Sequence, residues 1–232
     1  NNLNTGRNAL GGSGTQTSTL AYAGYQSPPN ANTAVVESWN GSSWTETTDV
    51  NSARRAFGSA GADNTSALMF GGYAGSTTNI TELYNGSSWT EVADLNTARY
   101  DIKGAGIATA ALGFGGYVSA AQTKTESWNG SSWTEVNDLN EARYSIASAG
   151  TQTAALAFGG QPGLAGSSGK TEEWNGGGWV EIADLNTARV ALGGNGTTTS
   201  ALAYGGEGPP SHLTTSEEWS GSSILTKTVS ES

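Results

Sequence analysis

The 232-residue chain contains no cysteine, one histidine, few charged residues and no long apolar run. Without cysteine it has no disulfide and no thiolate metal ligand, and its redox compartment stays open. One histidine, His212, sits in a variable stretch after Gly208-Pro209-Pro210. That leaves too few residues for a histidine metal cluster, and no zinc-ligand spacing, P-loop or nucleophile elbow is present. No segment reaches the roughly 20 apolar residues of a spanning helix, so no membrane insertion is expected. Lys and Arg total 10 against 20 Asp and Glu, a net charge of −10 with no basic run. Phosphate backbones need a positive surface, so nucleic acid is not an expected partner. These absences point away from an enzyme and away from any cofactor. The chain opens on Asn1, which reads as a processed chain or a piece of a longer polypeptide, with no legible signal peptide.

What is plentiful is glycine, at 34 residues, and tryptophan, at 8, among many Ser, Thr and Asn. Trp, Leu and Phe recur on a schedule, so this is a turn-rich all-β composition and not a disordered one. The most repeated text is T-E-S-W-N-G-S-S-W-T-E at 125–135, with copies near 36–46, 81–91, 171–181 and 216–226. Two short alternating runs around Asn-Gly form a hairpin signal, because a tight turn needs positive φ. Arg7, Arg54, Arg99, Arg143 and Arg189 mark the period, with separations of 47, 45, 44 and 46 residues. Such periods belong to stacked supersecondary units. Each unit holds four strand-like runs and no helical periodicity, which predicts a single domain folded as a five-bladed β-propeller with four-stranded antiparallel blades. The blades are expected at 3–50, 50–94, 95–138, 139–184 and 185–232.

Within a unit, the run after the Arg is rich in small residues, as an innermost strand near a crowded axis requires. One larger apolar residue recurs there: Leu10, Phe57, Ile102, Ile146 and Leu192. The second run alternates large and small, as in Ala155-Leu156-Ala157-Phe158, and ends in Gly-Gly. A bulky face on one blade can then stack on the flat face of the next. One Leu and one aromatic per joint contribute roughly 3–6 kcal/mol before opposing terms. A variable loop follows (26–33, 74–79, 118–123, 162–169, 208–214), then the hairpin, then a nearly constant link such as Asp94-Leu95-Asn96-Thr97-Ala98-Arg99.

The Gly-Gly pairs (71–72, 115–116, 159–160, 205–206), the aromatic 13–15 residues later (Tyr84, Trp128, Trp174, Trp219) and the Trp five residues beyond (Trp89, Trp133, Trp179) resemble the kelch repeat. The resemblance spans the chain and implies a propeller of four-stranded blades; kelch propellers usually have six or seven, so either this is a five-bladed ring or further blades lie outside the given chain. The wording W-N-G-S-S-W-T-E also resembles repeat proteins of phage virions and tails. It implies an extracellular or virion-surface location, with other virion or surface proteins, or glycans, as partners. The copper-radical site of kelch-containing galactose oxidases has no counterpart in a chain without cysteine.

The recurring Arg residues, with Glu37, Glu82, Glu126, Glu172 and Glu217, read as inter-blade ion pairs or clamps on loop carbonyls. Asp49, Asp94, Asp138 and Asp184 read as turn caps. In the last unit Ile224 replaces the second Trp, Thr226 the Glu and Val229 the Asp. Both termini fall at the same point of the repeat, so blade five is expected to close on blade one without exchanging a strand, or to face another subunit or domain.

Two sets of residues remain as candidate ligand contacts. After the Gly pairs lie Tyr25, Tyr73, Tyr117, Gln161 and Glu207, on a rim where exposed aromatics could stack on sugar rings or simply cover their own loops. Just after the Arg residues, at the mouth of the axis, lie Arg55, Tyr100 and Tyr144, with Asn8 and Val190 in the other blades. Asp101 and Lys103 break the symmetry of an otherwise plain channel. No catalytic or metal-binding residue is assigned. The expected function is a non-enzymatic recognition or structural module, most simply a phage virion or tail component that contacts a host-surface glycan or another virion protein. A soluble multivalent lectin, similar in plan to five-bladed tachylectin-type propellers, is the first alternative. A glycan-active enzyme is the second, and the missing motifs count against it.

Overall fold

The computed structural model describes residues 1–164, 166–209 and 211–221, together with the backbone of the strand Ile224–Lys227. The substitutions at Ile224, Thr226 and Val229 therefore concern side chains outside the described residues. All regular structure is β, in five four-stranded antiparallel sheets arranged as a propeller. Among the described residues no helix is long and apolar enough to cross a membrane.

Blade three shows the plan. Lys103–Ile107, Ala110–Phe114, Thr125–Trp128 and Trp133–Val136 lie side by side in chain order. Leu112 stands opposite Ala105 and Ser127, and Trp128 opposite Ala111 and Trp133. Alternation along the second strand sends Leu112 and Phe114 to one face and Ala111 and Gly113 to the other. The hairpin at Trp128–Trp133 differs from a two-residue turn. Four residues form the loop, and Asn129 works through its side chain, with Oδ1 accepting from the Ser131 and Ser132 N–H groups at 3.0 Å. Only Gly130 takes a positive φ, at 93°. Two of the variable loops are small ribbons, Tyr25–Gln26 with Ala31–Asn32 and Glu207–Gly208 with Ser211–His212.

Four seams between blades are filled on one plan, the first three with a ring pair. Leu68 and Phe70 of blade two are buried against Ile102, Ala111, Trp128 and Trp133 of blade three. The Phe70 and Trp133 rings lie 4.7 Å apart, Phe114 and Trp179 4.8 Å, and Tyr22 and Trp89 5.2 Å. Trp133 and Trp179 also donate their indole N–H across the seam, to the hydroxyls of Thr81 and Thr125. The conspicuous tryptophans thus hold blades together. The fifth seam differs. Among the described residues no core cluster joins blade five to blade one, and Tyr204 and Leu10 stay 43% and 36% exposed. Among the described residues, direct closure of blade five on blade one, the first of the two arrangements expected for it, is not made.

Each blade is also clamped to the link that leads into it. Arg99 donates to Glu126 at 3.0 Å and to the carbonyls of Gly115 and Lys124. Glu126 accepts in return from the backbone and side chain of Asn96. The Arg7–Glu37, Arg54–Glu82, Arg143–Glu172 and Arg189–Glu217 pairs repeat the arrangement at 2.6–2.8 Å, with both side chains shielded. The pairs bind a link to the third strand of its own blade, so of the two expected roles the clamp on carbonyls is the one seen and the ion pair does not bridge blades. Burial pushes the Arg99 guanidinium down to about 10, against the pull of Glu126. The four aspartates are latches of longer reach than turn caps. Each accepts the N–H that opens the third strand, as Asp94 does from Thr81 at 3.0 Å.

Candidate functional site at the axial rim

The two candidate sets prove to be partners. In every blade the residue after the Arg forms a bridge with the residue after Gly-Gly: Asn8 with Tyr25, Arg55 with Tyr73, Tyr100 with Tyr117, Tyr144 with Gln161, and Val190 with Glu207. Reciprocal backbone hydrogen bonds of 2.7–3.2 Å close each bridge. The five bridges stand on one rim, around the mouth of the axis.

The next residue in each blade bends the chain from rim to inner strand. Ala9, Ala56, Asp101, Ser145 and Ala191 all adopt φ between 48° and 54°, a region side-chain-bearing residues enter at a cost. Their backbones hold one another. Ala56 donates to Ala9, Asp101 to Ala56, Ser145 to Asp101 and Ala191 to Ser145, in a chain of hydrogen bonds around the opening.

Side chains from neighbouring blades meet above this ladder. Tyr73 and Tyr100 lie 5.8 Å apart edge to face, Tyr100 and Tyr117 5.5 Å, and Tyr117 and Tyr144 5.0 Å. The Arg55 guanidinium sits over the Tyr25 ring at 4.6 Å and the Tyr73 ring at 4.8 Å, an arrangement that favours the cation over the negative ring faces. Asn32 holds it there by accepting from Arg55 at 3.0 Å and donating to the Tyr73 carbonyl at 2.9 Å. The result is one arc, Tyr25–Arg55–Tyr73–Tyr100–Tyr117–Tyr144. Its rings are half-buried against each other and against Arg55.

The arc borders a cleft of about 680 Å³ over blades one to three, lined by Asn8, Tyr25, Arg55, Tyr73, Tyr100 and Asp101 among others. Tyr117 and Tyr144 turn their hydroxyls to the carbonyls of Ser119 and Gly163. The hydroxyls of Tyr25, Tyr73 and Tyr100 take no protein partner among the described residues. Next to the cleft lies the axial mouth, about 550 Å³, where Asp101 and Lys103 come together from blade three and Glu207 from blade five. Burial raises the Asp101 carboxyl above its usual range, opposed by the Ser145 hydroxyl and the nearby Lys103 and Arg55 charges. Burial lowers the Lys103 ammonium, opposed by Asp101.

Gln161 and Glu207 hold the same bridge position in blades four and five but add no ring to the arc. Glu207 instead faces His212 across its ribbon at 3.6 Å, both side chains well exposed. No group of three or more potential ligands for a metal ion occurs among the described residues. The site thus offers phenol hydroxyls, a held guanidinium and a partly desolvated carboxylate on a fixed backbone frame. Both residue sets were visible in the sequence from their constant place in the repeat. Their union across blades and the covering of Tyr25 by Arg55 were not, although the nearly constant offset between the sets was a usable signal. No protein-family model matches the chain, and no curated protein matches it either.

Proposed function

We propose that the protein is a non-enzymatic recognition module that binds a hydroxyl-rich ligand, a glycan, at the axial rim. The observation that carries this reading is the cleft in which Arg55 and Asp101 stand beside three unpartnered tyrosine hydroxyls. Sugars are bound by such mixtures: planar donors and acceptors for hydroxyls, and aromatic edges for the C–H faces. The resemblance to kelch repeats and to repeat proteins of phage virions and tails supports the further reading of a module at a particle surface, with a host glycan as its contact and another virion protein as the alternative partner. The arc is confined to blades one to four and the cleft to blades one to three, which favours one asymmetric site over the one-site-per-blade plan of a multivalent lectin.

A broad glycan array tests the reading. The expected result is selective binding that falls when Tyr73 or Arg55 is replaced by Ala. Absence of binding across the array, with stable incorporation of the chain into a larger particle, would move the reading to a protein-contacting component. Turnover of a glycoside would overturn the non-enzymatic assignment.

A further inference from the structure

The four filled seams define what each free face at the fifth accepts. A Cβ built on Gly104 would lie 2.8 Å from the Phe70 ring of the preceding blade, and one on Gly194 2.5 Å from the Phe158 ring. Gly12 holds the same place in blade one, yet a Cβ there would meet only the Leu20 carbonyl of its own blade, at 3.6 Å. The opposite face is equally bare. A Cβ on Gly71, Gly115 or Gly159 would strike the carbonyl of the next blade's Arg at 2.6–2.8 Å. On Gly205 the nearest atom is the Leu213 carbonyl, 3.9 Å away and in the same blade.

Hydrogen bonds tell the same story. Gly24, Gly72, Gly116 and Gly160 each donate to the carbonyl of the Arg in the following blade, at 2.8–2.9 Å. Gly206 and Arg7 make no such bond among the described residues. Tyr204 is 43% exposed where Tyr22, Phe70, Phe114 and Phe158 are at most 3%, and Leu10 is 36% exposed where its four counterparts are at most 7%. Repeat arrays that end in solvent carry polar outer faces. Here Leu10, Gly12, Tyr204 and Gly205 keep the interior residues of the repeat, with Thr19 the exception where the other blades bury Ala67, Ala111, Ala155 and Ala201.

We infer that this seam is a docking site for one further four-stranded unit of the same repeat pattern, a sixth blade. Such a unit brings to Tyr204 and Gly205 the small-residue strand, the large apolar residue and the second Trp that cover Phe70 in blade two. It brings to Leu10 and Gly12 the Leu, the aromatic and the Gly-Gly of a second strand. The close-packed seams set how far each blade turns about the axis, and with all four made, blades five and one still do not meet. A second five-bladed copy would have to carry four more blades beside the one that docks.

The absence of cysteine makes the test direct. In the variant Leu10→Cys the single thiol reports whether the seam is covered. A six-unit chain is made by inserting a second copy of residues 95–138 after Asp138, which repeats the natural Asp–Leu junction. The expected result is ready reaction of the thiol in the five-unit monomer and a rate at least about tenfold lower in the six-unit monomer. Equal reactivity in the two chains would overturn the inference. So would protection in the five-unit monomer, which means self-closure, or protection only in a five-unit oligomer, which means a second copy. Should the inserted chain fail to fold, a copy of residues 50–94 placed after Asp94 gives a second six-unit chain, read the same way. Failure of both to fold as monomers would also count against a sixth blade.

Discussion

The seams and the rim use the same repeat in opposite ways. At the four filled seams the blades present matching apolar residues, and within the blades the Arg–Glu clamps and the four Asp latches recur with nearly constant geometry. At the rim the backbone is just as regular, with five bridges and five positive-φ bends, but the side chains change from blade to blade. Regularity holds the blades together, and the departures from it make one side of the rim unlike the rest. Loops fixed on a rigid scaffold are where recognition usually resides.

Substitutions sharpen that contrast, beginning at the seams. Arg99→Ala leaves Glu126 buried without its cation and is expected to lower the unfolding free energy by about 3–5 kcal/mol, read from urea denaturation. Trp133→Ala removes the ring against Phe70 and the bond to Thr81, with a comparable expected loss of about 3–5 kcal/mol by the same measurement. Asp94→Ala deletes one latch and leaves the Thr81 N–H without its acceptor, for about 1–2 kcal/mol.

A smaller effect is expected from pH. Burial alone would raise the Glu37 carboxyl, but the Asn4 N–H, the Arg7 guanidinium and the Thr5 N–H hold it below its ordinary value. The unfolded chain then binds this proton more readily than the folded one. The stability contributed by Glu37 is complete above the ordinary glutamate range and is lost as pH falls through the lowered value. Melting temperature followed from about pH 7 to about pH 3 should therefore fall less steeply for Glu37→Gln than for the unaltered chain. An identical acid limb would show that this clamp does not couple to protonation. Smallest of all is the expected effect of Tyr73→Ala on stability, within about 1 kcal/mol, because the ring is only half-buried.

The sequence displays the scaffold far better than the site. The Arg period, the Gly-Gly pairs and the alternation of Leu156 and Phe158 with alanines each specify a local feature that the repeat multiplies five times. The latch role of Asp94 was harder to see, because its partner Thr81 lies 13 residues back, at the start of the third strand. Asn129-Gly130 signalled a hairpin correctly but concealed a four-residue loop, since the Asn side chain replaces the turn that a second positive φ would make. At the rim, Tyr73 and Tyr100 belong to different units and meet only because blades turn about a common axis. The left-handed bends fall on Ala, Asp and Ser, which give no glycine signal. The open seam was hard to read, because Leu10, Gly12 and Tyr204 look like their buried counterparts, and only the atypical last unit and Thr19 in place of a recurring Ala set the end blades apart.

The central claim is that one asymmetric site arises from a symmetric scaffold. The most direct measurement is native mass spectrometry of the chain with the glycan that binds best on the array, run beside Arg55→Ala with a melting curve for both. The expected result is one glycan per chain, an affinity at least about tenfold weaker in the variant, and an unchanged melting temperature. Three or more glycans per chain, or undiminished binding by Arg55→Ala, would contradict it.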